Sequence, residues 1–179
     1  MLENPTALAG QAAGLAALLL CIAAFASKRD ERLLVLLISA NVAFALQFLL
    51  LESWTAAALT VLVIVRIALA RRYPGSTAVM AGVLAASGVA ALLTWQGWAD
   101  LPALVAMVLG TVGMFLLRGI PMRAMLGLAA VAWLLSHLLV GAVGGSLAEA
   151  LVVVTNAFTI WRLWRAKRRY PEAFENGGA

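Results

Sequence analysis

Polar side chains stand inside long apolar runs of this 179-residue chain, and any chemistry it does would lie with nine of them. Asn41 and Gln47 share one run and Thr60 lies in the next. Ser136 and His137 share a later one, and Glu149, Thr155, Asn156 and Thr159 fall in the last. The amides of Asn and Gln carry donors and an acceptor that hydrocarbon cannot satisfy, so they suit a polar solute or a hydrogen bond to a partner helix. His137 is the single histidine; a lone imidazole is either a proton carrier or an ordinary buried donor. One cysteine, Cys21, leaves no disulfide and no thiolate cage within a chain, which excludes a quinone-linked disulfide oxidase. One histidine excludes a haem held by two imidazoles of one chain. A Ser–His intramembrane protease would need a serine on a Gly-rich turn facing the imidazole, whereas Gly144-Gly145-Ser146 reads as a loop beyond His137. A retinal Schiff base needs a lysine inside the membrane, and Lys28 and Lys167 both flank apolar runs. No cofactor and no enzymatic reaction are expected.

The elements that must position these groups are set by composition. Hydrophobic residues make up 64% of the chain and charged residues 12%, with a mean hydropathy of +1.00. Soluble domains are about 45–50% apolar and about 25% charged, so the solvent for this chain is lipid. A spanning helix needs about 20 apolar residues. Seven stretches qualify: Thr6–Ala26, Leu33–Leu51, Ser53–Ala70, Ser76–Trp95, Leu101–Leu117, Ala124–Val143 and Ser146–Trp164. The chain is therefore expected to be an all-α integral membrane protein in one transmembrane domain. Pro5, Pro74, Pro102, Pro121 and Pro171 each fall at or beyond a proposed helix end, where a missing N–H does least harm. Trp54, Trp95 and Trp98 gather at one set of ends, and Tyr73, Trp161, Trp164 and Tyr170 at the other, as aromatic belts do. Ala24-Phe25-Ala26 has some likeness to a cleavage site. But Glu3 precedes the first run and Lys28, Arg29 and Arg32 follow it, which fits a retained first helix.

Charge gives the orientation. With seven spans, all 13 Lys and Arg residues fall on one side, while Glu3, Glu52, Asp100 and Glu149 lie on the other. The basic side is cytoplasmic by the positive-inside rule, so the excess of bases reads as topology and not as nucleic-acid binding. Arg66 and Arg162 are expected to extend to the cytoplasmic headgroups. Gly10 with Gly14, and Ser87 with its small neighbours, mark close helix packing.

The two halves echo each other. Arg71-Arg72-Tyr73-Pro74 closes the third span and Arg168-Arg169-Tyr170-Pro171 the seventh. Sliding the chain by 90 residues pairs Gln47 with His137, and a longer hairpin between the last two spans raises the offset to 96, pairing Thr60 with Asn156 and Arg66 with Arg162. Residues 6–70 and 101–164 would then be two three-helix repeats in the same orientation, joined by a linker helix 76–95 and followed by a basic tail 165–179. Such a 3+1+3 layout gives parallel repeats about the membrane normal, as in the SWEET sugar transporters. Gln47, His137, Thr60 and Asn156 fall in one layer, roughly 6–15 Å below the outer surface at the helical rise. They are the candidate solute-binding residues, with Asn156 foremost. The same groups could instead bond helix to helix. Glu149 either caps the last helix or lines its outer end.

Gly119-Ile120-Pro121-Met122-Arg123, Trp133, His137, Gly141, Gly144-Gly145, Glu149, Asn156 and Arg162-Leu163-Trp164 together resemble the second half of the YgjV-type bacterial inner-membrane proteins. Ala9-Gly10-Gln11, the Lys28–Arg32 cluster, Phe48-Leu49-Leu50 and Arg66 resemble the first half. The resemblance covers about residues 9–170 and implies a bacterial inner-membrane location and kinship with PQ-loop and SWEET-like small-solute carriers. Val63 and Thr159 stand where that family tends to have Asn, and Gln47 where it often has an imidazole. The Pro-Gln pair of the PQ-loop group is absent, so Gly110 and Gly113 would have to supply hinge flexibility.

These readings lead to a carrier of a small polar solute working by alternating access, with the lipid bilayer as its surroundings and self-association left open. The rival is a non-transporting accessory or receptor protein whose polar residues serve packing. A reporter active only in the cytoplasm should work when fused to the C-terminus and fail at the N-terminus. The reverse pattern would defeat the seven-span orientation.

Overall fold

In hydrocarbon every backbone N–H and C=O must be satisfied within its own segment, which leaves helices as the solution for apolar runs of this length. The computed structural model describes residues 4–26 and 30–169. Among these described residues are seven α-helices: α1 (Pro5–Ala26), α2 (Asp30–Leu50), α3 (Trp54–Arg72), α4 (Thr77–Thr94), α5 (Leu101–Leu116), α6 (Gly119–Val140) and α7 (Val143–Arg169). A 3-10 turn, Trp98–Asp100, leads into α5. Six helices are long and apolar enough to cross a membrane, while in α2 the apolar stretch is the shorter Val35–Leu50. Glu3, Lys28, Arg29, Tyr170, Pro171 and the tail beyond Arg169 lie outside the described residues.

Several helix ends differ from the sequence expectation, and two of the starts bear on the site. The sixth helix begins at Gly119 and not at Ala124. Pro121 falls in its first turn, where its N–H would have had no helical partner. The seventh begins at Val143, so Gly144, Gly145 and Ser146 lie in its first turn and not in a loop. Only Gly141 and Ala142 separate α6 from α7, and the ladder of α7 has already started where Ser146 N donates to Ala142 O at 2.9 Å. The extra length expected in that hairpin sits instead in α7, with 27 residues against 19 in α3.

The connections at one end are tied together. Gln96 Nε2 donates to Glu52 O at 2.8 Å, and Trp54 N donates to Gln96 Oε1 at 2.9 Å. Thr55 donates to Thr94 O at 2.6 Å and to Asp100 Oδ2 at 3.0 Å. Gln11, in the second turn of α1, donates to Gly141 O at 2.7 Å and accepts from Val143 N at 3.0 Å. The start of α1 and the α2–α3, α4–α5 and α6–α7 turns therefore share one end of the bundle, with Glu52 and Asp100 among them. Arg71, Arg72, Arg118 and Arg123 lie in or beside the α3–α4 and α5–α6 connections at the opposite end.

Packing runs around a ring. α1 packs on α2, α2 on α3, α3 on α5, α5 on α6, α6 on α7 and α7 back on α1, while α4 lies outside against α3 and α5. Lipid tails are as apolar as leucine, so such contacts rest on close approach and on small residues. Ala17, Cys21, Ala40, Phe44 and Ala148 fill the α1–α2–α7 side, and Leu59, Val63, Ala103, Met107 and Phe115 fill the α3–α5 side. The ring closes at Gly144, where a Cβ would fall on the Gly14 carbonyl (2.6 Å to its oxygen) and on Leu15 N. Gly10 meets Leu51 in the same manner (3.2 Å), so the Gly10–Gly14 pair is a packing seam, as its spacing indicated. Gly144→Ala should lower stability by about 1–3 kcal/mol, the range for overpacking a filled contact. Gly88→Ala, with open space at its Cβ, should not. Thermal melts of both variants in one detergent check this.

Candidate functional site

Two turns of identical hydrogen bonding set the site. At the end of α2, Ser53 N donates to Phe48 O (2.8 Å) and Glu52 N to Leu49 O (3.1 Å). At the end of α6, Ala142 N donates to His137 O (2.8 Å) and Gly141 N to Leu138 O (3.1 Å). Both are Schellman caps with a left-handed residue at the turn, Glu52 at φ 59° and Gly141 at φ 74°. Their register is 89 residues: Ser53 matches Ala142, Glu52 matches Gly141 and Phe48 matches His137. The 90-residue slide that paired Gln47 with His137 is thus one residue off the register of these turns. On the turn register Gln47 matches Ser136, and Phe44 matches Trp133.

The matched residues meet across the ring between α2 and α6. The Phe48 and His137 rings stack with centroids 4.4 Å apart and planes 18° from parallel. Phe44 tilts against His137 at 5.3 Å, and Trp133 tilts against Phe48 at 6.0 Å. Exchanging Phe48 with His137 and Phe44 with Trp133 maps this four-ring cluster onto itself. All four side chains are buried. The pattern aromatic-x-x-polar-aromatic, Phe44-Ala45-Leu46-Gln47-Phe48 against Trp133-Leu134-Leu135-Ser136-His137, was present in the sequence. A slide of 89 instead of 90 exposes it.

Gln47 and Ser136 are buried beside this stack, at 0% and 1% exposure. Neither the Gln47 amide nitrogen nor its oxygen has a hydrogen-bond partner, and the same holds for Ser136 Oγ and His137 Nδ1. Glycines let the polar groups in. A Cβ on Gly14 would overlap the Gln47 amide, and one on Gly145 would overlap the His137 ring. Because Gly145 lies in α7 and not in a loop, α7 presents bare backbone to the imidazole.

Thr60 and Asn156 are placed differently. Thr60 is buried on α3 and donates to Ala56 O of its own helix at 2.7 Å. Asn156 is half-buried on α7 with its Cβ toward Gly127 of α6, and its amide donates to Val152 O at 3.1 Å, one turn back. Its side chain therefore faces a neighbouring helix. Asn41 and Thr155 bond carbonyls of their own helices likewise. The structure brings Gln47 and His137 together through Phe48 and adds Ser136, but no described contact joins either to Thr60 or Asn156. Glu149 is half-buried in the second turn of α7.

Arg66 departs from the expected extension to the headgroups. It is 6% exposed and crosses to α5, where Nη1 lies 3.4 Å from Met107 O and a Cβ on Gly110 would overlap it. The bare backbone of Gly110 accepts a side chain that would otherwise have to leave the packed interface. Arg162 is exposed, with its guanidinium 5.8 Å from the Phe158 ring centroid. Gly110 and Gly113, expected as hinges, lie within continuous α5 and are close-approach points for Arg66 and Met125. Three cavities are described: about 640 Å³ beside the last turns of α7, about 260 Å³ between α3 and α4, and about 300 Å³ at the Glu52, Gln96 and Asp100 end. None is lined by Gln47, Ser136 or His137.

An unpartnered buried amide costs roughly 1–3 kcal/mol, which an apolar side chain of similar volume does not incur. Gln47→Met should therefore stabilise the protein by an amount in that range. Gly145→Ala, which pushes the His137 ring, should destabilise it. Melting temperatures of the two variants against the unaltered protein check the signs.

The sequence matches the family model Imp-YgjV, described as bacterial inner membrane protein, over residues 8–167. It is 24% identical over 165 residues to the inner membrane protein YgjV of Escherichia coli (strain K12), an alignment covering 92% of this chain and 90% of that protein. No solved structure matches it. With the apolar helices described above, the match over most of its length means that the chain belongs to the YgjV family of bacterial inner membrane proteins.

Proposed function

We propose that this protein carries one small polar solute across the bacterial inner membrane by alternating access. The two moving units would be three-helix repeats, α1–α3 and α5–α7, related by a near two-fold axis along the membrane normal, with α4 as the linker. The observation that carries this reading is the Phe48–His137 stack, flanked by its exchanged pairs and by the unpartnered Gln47 and Ser136. The helix neighbours support it, since exchanging α1 with α5, α2 with α6 and α3 with α7 leaves the order around the ring unchanged. Buried polar groups in a membrane interior are costly, and their retention points to use. In this reading the four rings form a closed gate, and Gln47, Ser136 and His137 gain partners when the repeats part and the solute enters. Thr60 and Asn156 exchange a bond to their own helix for one to the solute. The acidic end of the bundle faces outward and the basic end the cytoplasm. No step of bond making or breaking is assigned.

A second reading has its own support. Thr60 and Asn156 already bond within their helices, and aromatic rings fill the space between α2 and α6. That is how an accessory or receptor protein with polar packing residues would look.

Uptake of a panel of labelled small solutes into proteoliposomes separates the two. The carrier reading expects saturable uptake of at least one solute, lost in Gln47→Met although that variant is the more stable protein. Uptake absent across the panel, or unchanged in Gln47→Met, favours the accessory reading.

A further inference from the structure

The buried cation Arg66 takes no part in the central cluster. It stands 12 residues beyond the start of α3 and 6 before its end, about 18 Å and 9 Å along the axis. With Leu59, Val63 and Ala70 it forms the buried face of α3, which packs on Met107 and Phe115 of α5. Arg71 and Arg72, at the end of the same helix, are exposed in the ordinary way.

The described contacts of the guanidinium are neutral. Nη1 lies 3.4 Å from Met107 O and 3.6 Å from Met107 Sδ. The carbonyl is already shared, because Thr111 Oγ1 donates to it at 2.7 Å. Nε has no partner. Three carboxylates whose side chains are described lie elsewhere. Glu52 is in the α2–α3 turn, Asp100 is held by Thr55 and by Gln96 N, and Glu149 is in the second turn of α7. Gly110 is what lets a full-length guanidinium lie flat on the α5 backbone, so the place is shaped for arginine.

A desolvated cation needs an opposite charge or several good hydrogen bonds, and one shared carbonyl at 3.4 Å supplies neither. Its planar fork matches a carboxylate or phosphate oxygen pair, and a lysine would not reproduce that match. We infer that Arg66, seated on Gly110 between α3 and α5, is the counter-charge for an anionic group of the solute, a carboxylate or a phosphate. This rests on the carrier reading and narrows its solute from polar to anionic. The solute's anion replaces the weak carbonyl contact.

The test uses the full-length protein in an uncharged detergent, with melting temperature read against sodium lactate, sodium phosphate, xylitol and sodium chloride at matched ionic strength. Lactate or phosphate should raise the melting temperature by a few degrees with saturation, beyond the chloride control. Arg66→Gln should lose that rise. Arg66→Lys should keep only part of it, and Gly110→Ala, which retains the charge but displaces the fork, should weaken it. The two milder variants carry the test if Arg66→Gln does not fold.

A rise of equal size in folded Arg66→Gln, or in Gly110→Ala and Arg66→Lys alike, overturns the inference. A response to xylitol but to neither anion also overturns it and leaves the carrier reading standing. No response to any solute counts against both. If added phosphatidylglycerol produces the Arg66-dependent rise and lactate and phosphate do not, the anion is a lipid headgroup and the solute assignment fails.

Discussion

Hydrocarbon offers these helices neither a hydrophobic force to bring them together nor a partner for any exposed polar group, and the whole arrangement follows from those two lacks. Association must come from close approach, so the ring closes where two backbones touch, Gly14 of α1 against Gly144 of α7. The same seam carries Gln11, whose amide satisfies a carbonyl and an N–H of the two-residue turn between α6 and α7. A turn that tight brings Gly144 and Gly145 into helix. One glycine then meets α1 and the other meets His137. Backbone satisfaction, ring closure and placement of the imidazole are consequences of one turn.

The centre of the ring shows what the packing permits. Residues in equivalent positions before equivalent turns lie face to face between α2 and α6. Aromatic rings suit such a place because they fill space and stack without needing hydrogen bonds. Gln47 and Ser136 do not suit it. Gln47 buries an unpartnered amide against Gly14, and Ser136 an unpartnered hydroxyl, a local conflict of the kind that natural sequences keep where function requires it. Arg66 on Gly110 is the same combination of a costly polar group and a glycine cradle at a second depth.

Much of the fold could be read from composition and pattern. Helix number, helix order, proline placement, the division of acidic from basic ends and the Gly10–Gly14 seam all follow from local rules about length, hydropathy and small residues. The family was also legible, because motifs such as Gly119-Ile120-Pro121 and Trp133 with His137 lie within single segments. The candidate site was legible only in part. Gln47 and His137 were identified because a polar residue in an apolar run announces itself. Ser136 did so less strongly, since serine often bonds its own helix, and Phe44, Phe48 and Trp133 look like any other apolar side chains.

Tertiary structure decided what spacing leaves open. Helical periodicity says which residues share a face but not which neighbour that face meets. The two turns share a register that their hydrogen bonds set, one residue from the slide that paired Gln47 with His137. Depth alone suggested that Arg66 would reach a headgroup; its actual direction depended on a glycine 44 residues away in α5. Apolar length, charge and small-residue spacing are properties of a segment and can be read along the chain. The partner of a buried polar atom is a property of two segments, and the sequence does not say which two will touch.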